Sequence, residues 1–394
     1  MNPGKWAVGL IVLAQWLGTS LWFSPNSAAD DLMAAWQIGP AQFAWLIAAT
    51  QAGFIAGTLC LAGSGWADRY STSRIFALAC IAGAVVNAGF SGGWTGFGSG
   101  LAFRFAVGVC LAGIYPLGMK MIVGWVGARS GAALGLLVGM LTLGTALPHG
   151  VRALGASLPW QSVVQVSSVL AVTGAALVYF LGDGPYLKKS TETRGGSFGR
   201  AFGVFRIPDF RAAAFGYFGH MWELYAFIVL VPLIVSTRLA SASAISAGAF
   251  WAIGAGFAGC VGGGLMARRL GSARVAQVQL ATSAACCVAS PLMLSAPLPL
   301  FFAWLLLWGA TVAGDSPQFS TLTAQNAPPA VVGSVLTFSN SIGFAISVLS
   351  IQLFVAAAQS WPLGAVLPWL AVGPAIGLWM MRPLLPVSRS RSCS

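Results

Sequence analysis

Charge is what this chain lacks. Of 394 residues only 7% are charged, with 8 Asp+Glu and 2 His. Soluble domains carry about 25% charged residues, so a soluble globular fold is excluded. Two histidines cannot build a multi-histidine metal site. The 7 cysteines show no CxxC spacing and no paired loop positions, so no disulfide framework, metal or other cofactor is expected. Cys60, Cys80, Cys110, Cys260, Cys286 and Cys287 fall within apolar runs and read as small packing residues. No GxxxxGK[ST] loop is present, which argues against direct nucleotide use. The two histidines lie far apart, one near mid-membrane and one at the outer edge, and form no nucleophile–base pair, so an enzyme is not expected.

What the chain has is apolar length. It is 57% hydrophobic, its mean hydropathy is +0.82, and apolar runs of about 20 residues recur from end to end, each long enough to cross a hydrocarbon core. A transmembrane barrel would show short alternating segments instead. The runs predict twelve helices over 5–25, 40–62, 74–92, 97–121, 130–152, 161–182, 209–235, 243–266, 273–293, 298–321, 331–356 and 363–383. The first run, Trp6 to Phe23, is longer than the apolar core of a signal peptide and reads as a retained helix.

With both termini in the cytoplasm, all of the 20 Lys+Arg except Arg104, Arg152 and Arg238 fall on the cytoplasmic side. That asymmetry fixes orientation in an inner, cytoplasmic membrane. The net charge of +12 is thus topology, not a nucleic-acid surface, and the lipid bilayer is the expected surrounding.

One polar stretch, 183–208, divides the chain into a first bundle over 1–182 and a second over 209–383, followed by a basic tail, 384–394. The halves repeat each other. SGWADRYSTSR at 64–74 aligns without gaps on GLMARRLGSAR at 264–274, with Ala67/Ala267, Arg69/Arg269 and Arg74/Arg274 identical. AGIYP at 112–116 aligns on AGDSP at 313–317. Two parallel repeats in a twelve-helix chain are the trace of a duplicated transporter.

The loop 64–74 resembles the cytoplasmic loop motif of the major facilitator superfamily, through Asp68, Arg69 and Arg74, although Ser64 and Ser71 stand where glycines are usual. In the second copy Gly264, Arg269, Gly271 and Arg274 match, and Arg268 replaces the aspartate. Arg104, in a helix with Gly108 and Gly113, resembles the family's fourth-helix motif. GTALPHG at 144–150 resembles the exporters' fifth-helix motif only in part, because Leu147 stands where a glycine precedes the proline.

The resemblance implies an all-α fold of two pseudo-symmetric six-helix bundles, a monomer, and alternating access to a small-molecule substrate. It makes Asp68, Arg69, Arg74, Arg269 and Arg274 cytoplasmic gate residues. Independently of the family, a carboxylate at Asp68 would suit the N-terminus of the third helix.

The resemblance also implies that spans 1, 4, 7 and 10 line the central cavity, and the rare polar residues fall largely there. Span 1 carries Gln15, Thr19 and Trp22 on one helical face. Span 4 carries Arg104 and Tyr115, span 7 His220 and Glu223 beside Trp222 and Tyr225, and span 10 Asp315 and Gln318. Ionisable groups at membrane depth cost roughly 2.5 kcal/mol or more and face a cavity or a partner.

Glu223 is the leading proton-coupling candidate, because a carboxyl there can be neutral in one state and ionised in another. His220, one turn away, can relay its proton or simply pair with it. Asp315, beside the helix-opening Pro317, is a second proton site, a counter-charge or a gate. Arg104 reads equally as an anchor for an anionic substrate, a partner of Glu223 or Asp315, or a hydrogen-bond hub. His149 and Arg152, at the outer end of span 5, read as structural, and Asn340 as helix packing first.

The function expected is a secondary transporter of a small organic solute, an anion among the candidates, coupled to protons. The alternative is a drug/proton antiporter. An integral-membrane enzyme and a transporter-like sensor are remote.

Overall fold

The structure, a computed structural model, describes residues 3–64, 66–92, 96–126, 131–155, 158–187, 203–328 and 332–385. Every regular element among them is helical. Ten helices are long and apolar enough to cross a membrane. They are spans 2 (Pro40–Ser64), 3 (Thr72–Phe90), 4 (Phe97–Val126), 6 (Trp160–Leu181), 7 (Pro208–Ser236), 8 (Ala242–Leu270), 9 (Ser272–Met293), 10 (Leu298–Asn326), 11 (Val335–Ser360) and 12 (Leu363–Met380). The two remaining positions of the expected twelve are filled by Pro3–Thr19, of 17 residues, and Gly131–Leu154, of 24 residues, as spans 1 and 5.

Four spans depart from plain helices, among them span 12, where a 3-10 stretch, Leu367–Ala371, lies between Leu363–Val366 and Val372–Met380. Spans 4 and 10 are interrupted at the repeated sequence: Phe97–Ala112 gives way to Tyr115–Val126, and Leu298–Gly314 to Ser316–Asn326. At each break a glycine stands three residues before a proline, Gly113 before Pro116 and Gly314 before Pro317, and the proline has no N–H for the carbonyl four residues back. In span 10 that carbonyl, of Ala313, accepts instead from the Cys260 thiol at 3.3 Å.

Span 1 stops at Thr19, short of the expected 25, because hydroxyls compete for its last carbonyls. Thr19 Oγ1 donates to the Gln15 carbonyl at 2.8 Å and Ser20 Oγ to that of Leu17 at 2.7 Å. Residues 20–25 form turns, followed by a short helix, Ala29–Trp36.

Within each half, glycine lets backbones touch. A Cβ on Gly108 would collide with the Thr50 carbonyl, and one on Gly309 with the Ala252 carbonyl. Span 2 therefore lies directly on span 4, and span 8 on span 10, the same pair in each copy. The halves meet along spans 5 and 8 and along spans 2 and 11. Ser243 Oγ donates to the Ala153 carbonyl at 2.7 Å across the first seam, and Ser347 Oγ donates to Gln51 Oε1 across the second.

At the loop end, the N-terminus of span 3 is served by Asp183, whose Oδ1 accepts from the Ser73 N–H at 2.8 Å. The side chain of Asp68, expected at the same helix end, lies outside the described residues. The first residues of the connection between halves are fastened to span 4, Tyr186 N–H donating to the Gly124 carbonyl at 2.9 Å. The rest of that connection, 188–202, and the tail from 386 onward lie outside the described residues.

Candidate functional site

Two cavities lie between the halves, and aromatic rings separate them. The larger, about 430 Å³, opens at the end of the bundle that carries the connection between spans 1 and 2. Its first-half wall is polar, with Asn26, Asp30, Asp31, His149 and Arg152. Its second-half wall is mostly apolar, with Val229, Leu230, Leu233, Ile245 and Val355. Arg152 pairs with Asp31 and donates to the Leu158 carbonyl, and His149 Nε2 lies 3.4 Å from Asn26 Nδ2.

The smaller cavity is central and has a volume of about 40 Å³. Tyr115 of span 4, Tyr217 and Tyr225 of span 7, Ser316 and Ser320 of span 10 and Asn340 of span 11 converge on it. Among the described residues, none that lines it carries a formal charge. The whole chain has 6 tyrosines, so three in one small pocket is a concentration.

The ionisable residues of span 7 point elsewhere, and not at each other. His220 Nδ1 lies 2.7 Å from Asp315 Oδ1, with both side chains fully buried. By hydrogen-bond geometry neither ring nitrogen and neither carboxyl oxygen has a partner among the described residues, so the 2.7 Å approach is a close charge-pair contact and not an aligned hydrogen bond. The ring sits between Tyr217 and Phe319, each with its centroid 6.0 Å away.

Glu223 faces the interior of the second half. Its Oε1 accepts from Trp308 Nε1 at 2.6 Å and from Cys287 Sγ at 3.2 Å, and its Oε2 from Ser283 Oγ at 2.9 Å. The expected His220–Glu223 pair does not form. One turn of helix turns the two residues toward different neighbours, span 10 for His220 and spans 9 and 10 for Glu223.

Arg104 realises one of its three readings, the hydrogen-bond hub. It is 1% exposed. Its Nε donates to Thr50 Oγ1 at 3.0 Å, Nη1 to Asn87 Oδ1 at 3.1 Å and Ser24 Oγ at 3.4 Å, and Nη2 to the carbonyls of Leu21 at 3.1 Å and Trp22 at 2.5 Å. Asn87 is itself held from span 6 by the Val164 carbonyl and Ser168 Oγ. Every acceptor is neutral, and neither Glu223 nor Asp315 is among them. With its fork fully used, Arg104 offers no donor to an anion in the centre.

The remaining candidates divide. Trp22, Tyr115 and Tyr225 face the centre, Trp22 stacking at 5.6 Å on Phe344 of the pocket wall. Gln15 lies instead inside the first half, against Gly118 and Phe76, and Thr19 against Gly144 of span 5. Trp222 turns away from the centre to Gly373 of span 12 and Phe354 of span 11. Gln318 is buried in span 10 but lines neither cavity. A face read from spacing alone cannot say which neighbour covers it.

Arg69, Arg74, Arg269 and Arg274 are exposed at the loop end, where Lys120 Nζ donates to the Ala67 carbonyl at 2.5 Å. Tyr217 and the carboxylates of the larger cavity were not among the candidates that the sequence offered. Tyr217, Met221, Leu224 and Tyr225 do recur at helical spacing, and Asp30 and Asp31 are two of only 8 acidic residues.

No curated protein matched the sequence. Solved structures share the fold at low identity. The human organic anion transporter MFSD10 (TETRAN) superposes with a TM-score of 0.72 at 14% identity, over 97% of this chain and 100% of that one. A D-xylose-proton symporter gives 0.75 at 14% identity, over 96% and 97%. The nucleoside transporter NupG gives 0.74 at 12% identity, over 96% and 100%. The sequence pattern that defines the Major Facilitator Superfamily matches residues 9–351, and with this fold around a central pocket the chain belongs to that superfamily.

Proposed function

We propose that this membrane transporter carries a small, polar, uncharged organic solute by alternating access, coupled to protons through His220 and Asp315. The observation that carries the coupling is the buried pair itself: an imidazole and a carboxyl at 2.7 Å, joining spans 7 and 10 next to the central pocket. Such a pair can hold one proton between two groups, and its geometry depends on how the two spans sit against each other. Glu223, bound by three donors and lining neither cavity, acts in this reading as an anchor of spans 7, 9 and 10. The uncharged lining of the pocket, with its three tyrosines, supports a neutral solute over an anion. The inner membrane, with cytoplasmic termini, is the proposed location.

The second reading is a drug/proton antiporter, favoured by the outer cavity, where Asp30 and Asp31 face an apolar wall. One screen separates the two. Thermal shifts of the purified protein are measured at pH 5.5 and 7.5 against sugars, nucleosides, organic anions and lipophilic cations. Each hit is then followed as flux into proteoliposomes with and without a pH gradient. A neutral hit whose flux follows the gradient supports the first reading. Stabilisation by lipophilic cations alone moves the assignment to the antiporter.

A further inference from the structure

The two cavities are kept apart by a layer of rings. Trp22 of the first half stacks on Phe344 of the second, with centroids 5.6 Å apart and planes 21° apart, and lies over Tyr225 at 6.1 Å and 20°. Phe54 packs on Trp22 at 4.8 Å and on Phe344 at 4.6 Å. Chain order on all four elements puts this layer between the cavities. Asn26 follows Trp22 into the outer cavity, Phe43 precedes Phe54 there, and Val229 and Val355 lie beyond Tyr225 and Phe344. Tyr225 and Phe344 themselves form the ceiling of the central pocket.

Trp22 does not sit on a helix. Span 1 ends at Thr19, and 20–25 are turns. Bare carbonyls at membrane depth must be satisfied from within the protein. Here Arg104 does so, donating to both the Leu21 and the Trp22 carbonyls while its other N–H groups bind Thr50, Asn87 and Ser24. A cation at this point also suits the negative end of the span 1 dipole. The turn bearing Trp22 is thereby locked to spans 2 and 3 of its own half.

We infer that Trp22 is the outer gate of the central pocket and that Arg104 is the positioning residue that sets it. The inference rests on the transport reading, and it specifies where that transporter opens. When the halves separate at this end, Trp22 and Phe54 leave with the first half, Tyr225 and Phe344 with the second, and the two cavities become one. Arg104 touches no solute; it keeps Trp22 on the first half's side of the parting.

The test uses the full chain in right-side-out membrane vesicles, with Asn340→Cys as a reporter in the central pocket. A cationic, membrane-impermeant methanethiosulfonate is applied outside, and the modified cysteines are mapped by peptide mass spectrometry. The expected result is slow reaction at position 340 with the layer intact, at least tenfold faster reaction after Trp22→Ala, and a similar rise after Arg104→Gln. Arg104→Lys, which keeps the charge but loses the fork, should fall between. Trp222→Ala, which removes a ring facing span 12, should leave the rate unchanged.

A Trp22→Ala rate equal to that of the reporter alone overturns the gate. Arg104→Gln reaction spreading to the buried Cys80 and Cys287 as well overturns the positioning role, because it reports general loosening. No solute is needed. A chain that moves nothing yet shows the expected pattern would therefore sink the transport reading while leaving the gate in place.

Discussion

His220 and Asp315 join a continuous helix to an interrupted one. Their 2.7 Å contact bridges span 7, which runs unbroken from Pro208 to Ser236, and the single residue between the two segments of span 10. In the first half the matching position, in AGIYP, is Ile114. The duplicated break is shared by both halves; the charge at it belongs to the second alone.

Removing one member of this pair should hurt more than removing both. A single His220→Ala or Asp315→Asn leaves its partner buried without compensation, at a cost of about 3–5 kcal/mol. The double variant His220→Gln with Asp315→Asn removes the charge imbalance and should regain most of the stability without gradient-driven flux. Thermal unfolding in detergent and proteoliposome flux check the two parts. A double variant with normal pH-driven flux would remove the pair from coupling.

The break itself should matter through position. Pro317→Ala restores an N–H that can compete with the Cys260 thiol for the Ala313 carbonyl. Span 10 should then straighten across Asp315 and draw it away from His220. Flux is expected to drop at least tenfold with little loss of stability. Cys260→Ala, which keeps the proline and loses only a weak thiol donor, should transport almost normally.

Glu223 should behave as an anchor. Trp308→Phe deletes the 2.6 Å donor and leaves a buried carboxyl oxygen with the Cys287 thiol alone, a loss of about 1.5–3 kcal/mol. Glu223→Gln keeps an acceptor for Trp308, and Ser283 can still donate to the Leu280 carbonyl, 3.1 Å away. That variant should fold and retain pH-driven flux. Flux abolished in a well-folded Glu223→Gln protein would return Glu223 to the coupling site.

Close backbone contact makes a further, independent prediction. Gly309→Ala drives a methyl into the Ala252 carbonyl and should cost about 1–3 kcal/mol through overpacking. Gly262, within span 8, has open space where its Cβ would stand. Gly262→Ala should therefore be neutral or stabilise by about 0.4–1 kcal/mol. Melting temperatures of the two variants in one detergent decide it, and equal losses at both sites would refute the contact argument.

The sequence by itself determined the membrane class, the helical architecture and the family resemblance. Hydrocarbon thickness and backbone hydrogen bonding leave few ways to arrange long apolar runs, and a duplicated loop leaves its mark in the letters. The breaks at AGIYP and AGDSP were legible too, since the missing N–H of Pro116 and Pro317 is a local fact. Partners were not. Spacing placed Gln15, Thr19 and Trp22 on one face, but only packing sent Gln15 to Gly118, Thr19 to Gly144 and Trp22 to the rings of the other half. His220 and Glu223 sit a turn apart, yet their partners come from residues 60 to 95 positions away, a choice made by which helices stand next to span 7. Arg104 looked equally fit for a solute, a carboxylate or a hub. The end of span 1 decided it, because a chain leaving its helix inside a membrane must find donors for its carbonyls, and Arg104 was the side chain within reach.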